Sequence, residues 1–152
     1  MSFDTPNGSR GVSQPGIAKQ FLKLFNKFSA GRIRKTGKFG ELPSLVLTTV
    51  GSKSGQERKT PLAYFPAEGG GWLIVASFAG ATKNPSWYYN LAAHPDRVSI
   101  EFAGRTESVV AEQLHGSERE AEWRKISGSS QRFADYQDKT DRQLPIIRLR
   151  TR

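Results

Sequence analysis

The chain has 152 residues, which suffices for one ordinary domain with a real core. It holds no cysteine and only two histidines, His94 and His115, so disulfides, thiolate metal sites and cysteine nucleophiles are excluded and a histidine-based zinc site has too few ligands. The net charge is +9, and residues 1–60 carry +8 of it, so a field that attracts polyanions gathers in the first two fifths of the chain. Composition leaves open whether that polyanion is a nucleic acid, an anionic membrane surface or a multiply charged cofactor.

Residues 1–15 are rich in Ser, Gly, Pro and polar groups and read as a mobile tail. They contain no apolar core of a secretory signal, and no run in the chain approaches the roughly 20 apolar residues that span a bilayer. A cytoplasmic protein is the expectation. Residues 16–31 read as an amphipathic helix, with Ile17, Phe21, Leu24, Phe25 and Phe28 on one face and Lys19, Lys23 and Lys27 on another. Cover for the main domain is the favoured role; peripheral contact with an anionic membrane surface is the alternative.

The first strand is expected near 43–50 and the second near 57–66, joined by the polar turn Ser52–Glu57. Lys53, Arg58 and Lys59 bring charge to a turn of small residues whose backbone N–H groups can face an anion, a combination that suits a phosphate. A solvated basic hairpin tip is an equal reading of the same residues. After the Glu68–Gly71 turn, Trp72–Phe78 reads as a buried strand that forms a second hairpin with the strand before it. Asn84 as N-cap and Pro85 as first helical residue then open a helix to Ala93, with Trp87, Tyr88 and Leu91. Its N-terminus, with Lys83 beside it, is a second candidate anion site, although ordinary capping explains it as well.

Arg97–Phe102 alternates as a strand, Ala103–Arg105 turns the chain, and Thr106–Leu114 returns as a third hairpin. Ser117 and Glu120 form a capping-box pattern at the start of a helix that Ser127–Ser130 interrupts, and Phe133–Gln137 resumes it. Leu144–Leu149 is the last strand, with Pro145 marking an edge or a strand start. These elements compose a single α+β domain over residues 1–152: an antiparallel split β-barrel of about six strands with an N-terminal helix, a short helix after strand three and a C-terminal helical segment. His94 sits at an apparent helix end and His115 in a polar turn, and neither context points to catalysis.

Three stretches in order, TTVGSKSGQERKTPL (48–62), VASFAGATKNPSWYYNLAAHP (75–95) and YQDKTDRQLPIIRL (136–149), together resemble the deazaflavin-dependent nitroreductase family of actinobacteria, over roughly residues 15–150. That family has the split-barrel fold shared with flavin mononucleotide-binding oxidases. The resemblance implies coenzyme F420, an 8-hydroxy-5-deazaflavin whose tail carries a phosphodiester, a lactyl carboxylate and glutamates. It implies an oxidoreductase that passes a hydride from the reduced cofactor to a quinone, an enone or a nitroaromatic. Carried over position by position, the tail site falls on Lys53, Ser54, Gly55 and Arg58, continuing through Thr60 and Pro61. The ring site falls on Ala76 and Ser77 and the loop to Lys83 and Asn84, with Trp87 and Tyr88 nearby. The acceptor pocket falls on Tyr136, Phe133 and Ser130. Tyr136 and Ser77 are then the candidate proton donors. Phe133 and Ser130 stand where some members carry tyrosines, which makes this pocket less phenolic than theirs. Flavin mononucleotide in the same fold and a non-catalytic F420 carrier are the alternatives, a homodimer is compatible, and no nucleic-acid partner is expected because the aromatics lie in apolar patterns rather than between the basic residues.

Overall fold

The computed structural model describes residues 3–11, 33, 35, 37–39 and 42–152, so the helix expected over 16–31 lies outside the described residues. Among the described residues there are eight strands: β1 (Lys38–Phe39), β2 (Leu42–Val50), β3 (Glu57–Ala63), β4 (Phe65–Pro66), β5 (Trp72–Val75), β6 (Val98–Phe102), β7 (Arg105–Gln113) and β8 (Ile146–Thr151). Three α-helices accompany them: α1 (Ser86–Ala93), α2 (Gly116–Ser129) and α3 (Gln131–Asp138).

Every pairing is antiparallel, and the strand order is β1-β2-β6-β7-β8-β5-β4, with β3 also on β2. Val46 of β2 faces Pro61 of β3 and Glu101 of β6, so those two strands flank it on opposite edges. Strand β3 ends at Ala63 opposite Ser44, and just beyond it Phe65 of β4 is paired with Leu73 of β5. One continuous segment thus serves both ends of the strand order, which curls the sheet back on itself into a barrel.

Alternation along the strands divides the core. Leu45, Leu47, Ile74, Ile100, Val109, Ile147 and Leu149 form an interior cluster, into which α1 inserts Trp87, Tyr88 and Leu91. The opposite faces of β5 and β8 present Leu73, Val75 and Ile146 to Ile126 of α2 and Phe133 of α3. Residues buried on both faces explain why β2, β5 and β8 read as apolar runs rather than clean alternations. The β6–β7 hairpin turns through Ala103 and Gly104, with φ of 48° and 77°, the left-handed pair that a two-residue turn of this twist requires.

Several expectations need correction. Residues 3–11 do not trail free but dock on the domain: Phe3 packs edge-to-face on Tyr88, Thr5 N–H donates to Tyr88 Oη at 3.1 Å, and Gly8 N–H donates to the Thr82 carbonyl at 2.8 Å. The hydroxyl of Ser9 and the N–H groups of Ser9 and Arg10 all donate to the Asp141 carboxylate. The second hairpin is confined to two residue pairs of β4 and β5, because β3 belongs to β2. Helix α2 runs through Ser127–Ser129 without interruption; the Ser127 and Ser129 hydroxyls donate back to the carbonyls of Trp123 and Ile126, which removes their competition with the helix. Its N-cap is His115, not Ser117, and Glu120 is engaged by Arg119. Pro145 precedes β8 as a strand start, but β8 lies between β5 and β7 rather than at an edge.

Candidate active site

Strand β5 stops at Val75, three residues before the sequence pattern does. Phe78 and Ala79 then adopt left-handed backbone, φ 45° and 53°, a conformation that non-glycine residues hold only when their surroundings enforce it. Gly80, φ 81°, follows, and a side chain there would bring its Cβ within 2.8 Å of the Tyr136 carbonyl. The loop from Ala76 to Pro85 is thereby pressed against α3.

Between this loop, the β2–β3 turn, β3 and α1 lies a groove in two parts. The larger, about 820 Å³, is lined by Gly51–Ser54, Arg58, Lys59, Thr60 and the α1 residues Ser86, Trp87, Tyr89 and Asn90. The smaller, about 350 Å³, is lined by Leu62, Val75, Ser77, Phe78, Ala79, Pro85 and Tyr136. Both parts are also walled by Thr60, Ser86 and Trp87, so they are continuous. Arg58, Thr60 and Leu62 share one face of β3 by the two-residue period of a strand. The wall therefore grades from cation to hydroxyl to hydrocarbon along a single element.

At the polar end Lys53 has no hydrogen bond or ion pair among the described residues. Among the described residues Arg58 has one hydrogen bond, to Gln56 Oε1 at 3.3 Å, while Lys59 is shared with Glu101 and Thr48 at 3.4 Å each. The turn's backbone is less available than the sequence implies. The N–H groups of Gly51, Ser52, Gly55 and Gln56 already donate to Gln56 O, Asn90 Oδ1, Gly51 O and Ser54 Oγ. Positive charge at this mouth thus comes from side chains more than from a nest of amides. Asn90 also donates to Thr49 Oγ1 at 3.0 Å, so this one buried amide ties α1 to β2 and to the turn.

Of the residues singled out from sequence, Lys53, Ser54, Arg58, Thr60 and Trp87 line the larger part, and Ser77 and Tyr136 meet in the smaller. The others are not brought to the groove wall. Gly55 lies at the exposed turn and Pro61 on β3. Ala76 is buried, and its N–H bonds to Pro145 O. Lys83 is exposed beside the helix. Asn84 is not a cap: α1 begins at Ser86 after Pro85, and the Asn84 side chain turns inward. Tyr88 is buried in the barrel interior with its hydroxyl donating to Gln113 Oε1 at 2.6 Å, and burial pushes its pKa up. Tyr89, the next residue, faces the groove instead. Phe133 packs edge-to-face on Phe65 and Tyr136 in the outer core, and Ser130 joins α2 to α3.

Sequence reasoning missed Ser86, Tyr89 and Asn90. They occupy roughly a third of the helix circumference opposite Trp87, Tyr88 and Leu91, so a helical wheel drawn from Ser86 reveals them. It also missed Arg142, 2% exposed, whose guanidinium donates to the carbonyls of Ala76, Ser77 and Ala81 and to Asn84 Oδ1 at 2.6–3.1 Å. Burial lowers its pKa from the usual guanidinium value. No group of three or more candidate metal ligands occurs among the described residues.

Three comparisons bear on what such a groove serves. Residues 23–150 match the model of the F420H(2)-dependent quinone reductase family. The chain is 34% identical over 141 residues to an F420H(2)-dependent quinone reductase of Mycobacterium tuberculosis, covering 90% of this chain and 93% of that one. Among solved structures, an F420-H2 dependent reductase, FDR-A, is 38% identical at a TM-score of 0.62 over 71% of this chain and 94% of its own. A second structure, described as a domain-swapped dimer, is 31% identical at a TM-score of 0.64 over 88% and 96% of the two chains.

Proposed function

The chain belongs to the F420H(2)-dependent quinone reductase family, and from that premise we propose how its groove divides the work of an F420-dependent oxidoreductase. The names of these relatives carry F420 rather than flavin mononucleotide, and they describe reductases rather than carriers. The donor set fits the cofactor. Lys53 and Arg58, exposed and nearly unengaged, suit a phosphodiester and carboxylates, and the Trp87-walled middle suits a flat ring. When bound, the reduced cofactor supplies a hydride to an acceptor.

The chain's own contribution is placement and a proton. The observation that carries this reading is the grading of β3 from Arg58 through Thr60 to Leu62, which gives an anionic tail and an apolar acceptor separate ends of one groove. Leu62, Val75, Phe78, Pro85 and Trp87 exclude water from the acceptor end. Negative charge developing on a quinone oxygen there is met by the Ser77 and Tyr136 hydroxyls, which are also the candidate proton donors. Quinones are the acceptor class of the family; enones and nitroaromatics enter as further candidates because the same lining carries no charged side chain.

Purified protein mixed with reduced F420 and menadione should return the oxidised cofactor's absorbance faster than a protein-free control, and no acceleration would contradict the reading. Pairing of two copies belongs to the same proposal, supported by the domain-swapped relative, and sedimentation giving the mass of one chain would count against it. Among the described residues no helix is long and apolar enough to cross a membrane. A cytoplasmic location is proposed from the sequence alone, with cover of the main domain as the favoured role of segment 16–31 and contact with an anionic surface as the alternative; co-sedimentation with anionic vesicles would reverse that preference.

A further inference from the structure

We propose that Arg142 is a positioning residue for quinone reduction, holding the Ser77–Ala79 wall of the acceptor pocket in its productive shape. The inference rests on reading the smaller part of the groove as the acceptor site.

Four contacts carry it. Arg142 Nη1 donates to Ala76 O at 2.8 Å and Asn84 Oδ1 at 2.6 Å, Nη2 to Ser77 O at 2.8 Å, and Nε to Ala81 O at 3.1 Å. All four acceptors lie between Ala76 and Asn84, the stretch in which the chain leaves β5 and crosses to α1. Three are backbone carbonyls that no strand partner takes up, because the sheet ends at Val75. A guanidinium suits this task because its donors are fixed in one plane and can hold several oxygens at once.

The guanidinium is buried, and no carboxylate forms an ion pair with it among the described residues. Its neighbour Asp141 is occupied by Ser9 and Arg10. A buried charge met only by neutral carbonyl dipoles, three of the backbone and one of the Asn84 amide, is costly to keep, and an apolar side chain would fill the space without that cost. What the apolar residue could not do is turn the carbonyls of Ala76, Ser77 and Ala81 inward together. That turning fixes the direction of the Ser77 side chain and leaves Phe78 and Ala79 with left-handed backbone at the pocket wall. The close approach of Gly80 to the Tyr136 carbonyl sets the same loop against the helix that supplies the second hydroxyl. Ser77 and Tyr136 thus face one hollow because one guanidinium holds the loop between their elements.

The test is Arg142→Lys, which keeps the charge but cannot bridge four acceptors. We expect kcat for menadione to fall roughly 100-fold, the scale of a small misplacement of reacting groups. The F420 dissociation constant, read by fluorescence titration, should stay within about twofold because Lys53 and Arg58 lie on other elements. Added guanidinium ion should restore part of kcat in Arg142→Ala. If Arg142→Lys does not fold, Asn84→Ala removes one acceptor and should lower kcat about tenfold at unchanged F420 affinity. A folded Arg142→Lys protein with lowered Tm but unchanged kcat, or with F420 affinity lost in parallel, would overturn the proposal. Leu62→Trp separates the two claims: an unchanged KM for menadione would refute the acceptor pocket itself, whatever Arg142 does.

Discussion

The two ends of the groove are built on opposite physical terms. The basic end is a surface turn whose cations stand in water: among the described residues Lys53 is unengaged and Arg58 holds a single 3.3 Å hydrogen bond. The end proposed for the acceptor is a loop bonded from beneath by a buried guanidinium, with left-handed backbone at two non-glycine residues. Exposed charge captures a ligand over distance and tolerates variation in its tail, at the cost of sensitivity to salt. A clamped apolar wall fixes geometry and is indifferent to salt. Capture and chemistry can then be disturbed separately, which is what a two-substrate enzyme with a long anionic cofactor requires.

The largest expected effect falls on the basic end. Lys53→Ala with Arg58→Ala should weaken F420 binding about 100-fold at low ionic strength, two charge-assisted contacts being lost. The deficit should shrink as salt is raised, and kcat at saturating cofactor should stay within about twofold. Salt-independent affinity of the unaltered protein would refute the electrostatic account. At the other end, Tyr136→Phe should lower kcat by about 10- to 100-fold with F420 affinity retained, the range for removal of a positioned acid. Unchanged kinetics would remove Tyr136 as proton donor and leave Ser77, to be tested as Ser77→Ala.

Smaller effects belong to the docked N-terminal segment, which is bonded to Tyr88, Thr82 and Asp141. Tyr88→Phe removes the hydroxyl shared by Thr5 and Gln113 and should cost about 1 kcal/mol in a urea titration, with F420 affinity unaltered. Hydrogen bonds from the Ser9 hydroxyl and from the Arg10 and Ser9 N–H groups hold the Asp141 pKa at about 2, against 3.8 for a free side chain. A carboxyl depressed in the folded state stabilises docking fully above 3.8 and loses that contribution as the pH falls toward 2. The Ser9 and Arg10 amide resonances should therefore titrate with a midpoint near 2, and resonances that do not follow the Asp141 carboxylate at all would show that the segment is not docked.

Much of the fold was legible because it follows local rules. Apolar runs around 43–50 and 144–149, the Gly-rich turn at 68–71 and the Ala103–Gly104 hairpin announce themselves by pattern. The exceptions arise where tertiary contacts override them. Trp72–Phe78 reads as one strand, but the chain leaves the sheet after Val75, and the carbonyls of Ala76, Ser77 and Ala81 bond to a buried guanidinium some 65 residues later. Asn84 reads as a cap, yet the same guanidinium claims its side chain. Residues 3–11 look like a tail because their composition is polar, and they dock through polar bonds to Asp141 that no hydrophobic pattern reveals. In the site, Lys53 and Arg58 were legible from the charge gathered at a turn of small residues, while Thr60, Trp87, Ser77 and Tyr136 came forward as site residues through the resemblance. Tyr89 and Asn90 were not found, since facing is decided by helix rotation: Tyr88 turns into the barrel and its neighbour into the groove.

The most direct test of the divided groove is steady-state kinetics with reduced F420 and menadione varied together, on Lys53→Ala/Arg58→Ala and Leu62→Trp in parallel. The first variant should raise the KM for the cofactor alone, and the second the KM for the quinone alone. If both variants move both constants together, the ends are not separate sites and the account is wrong.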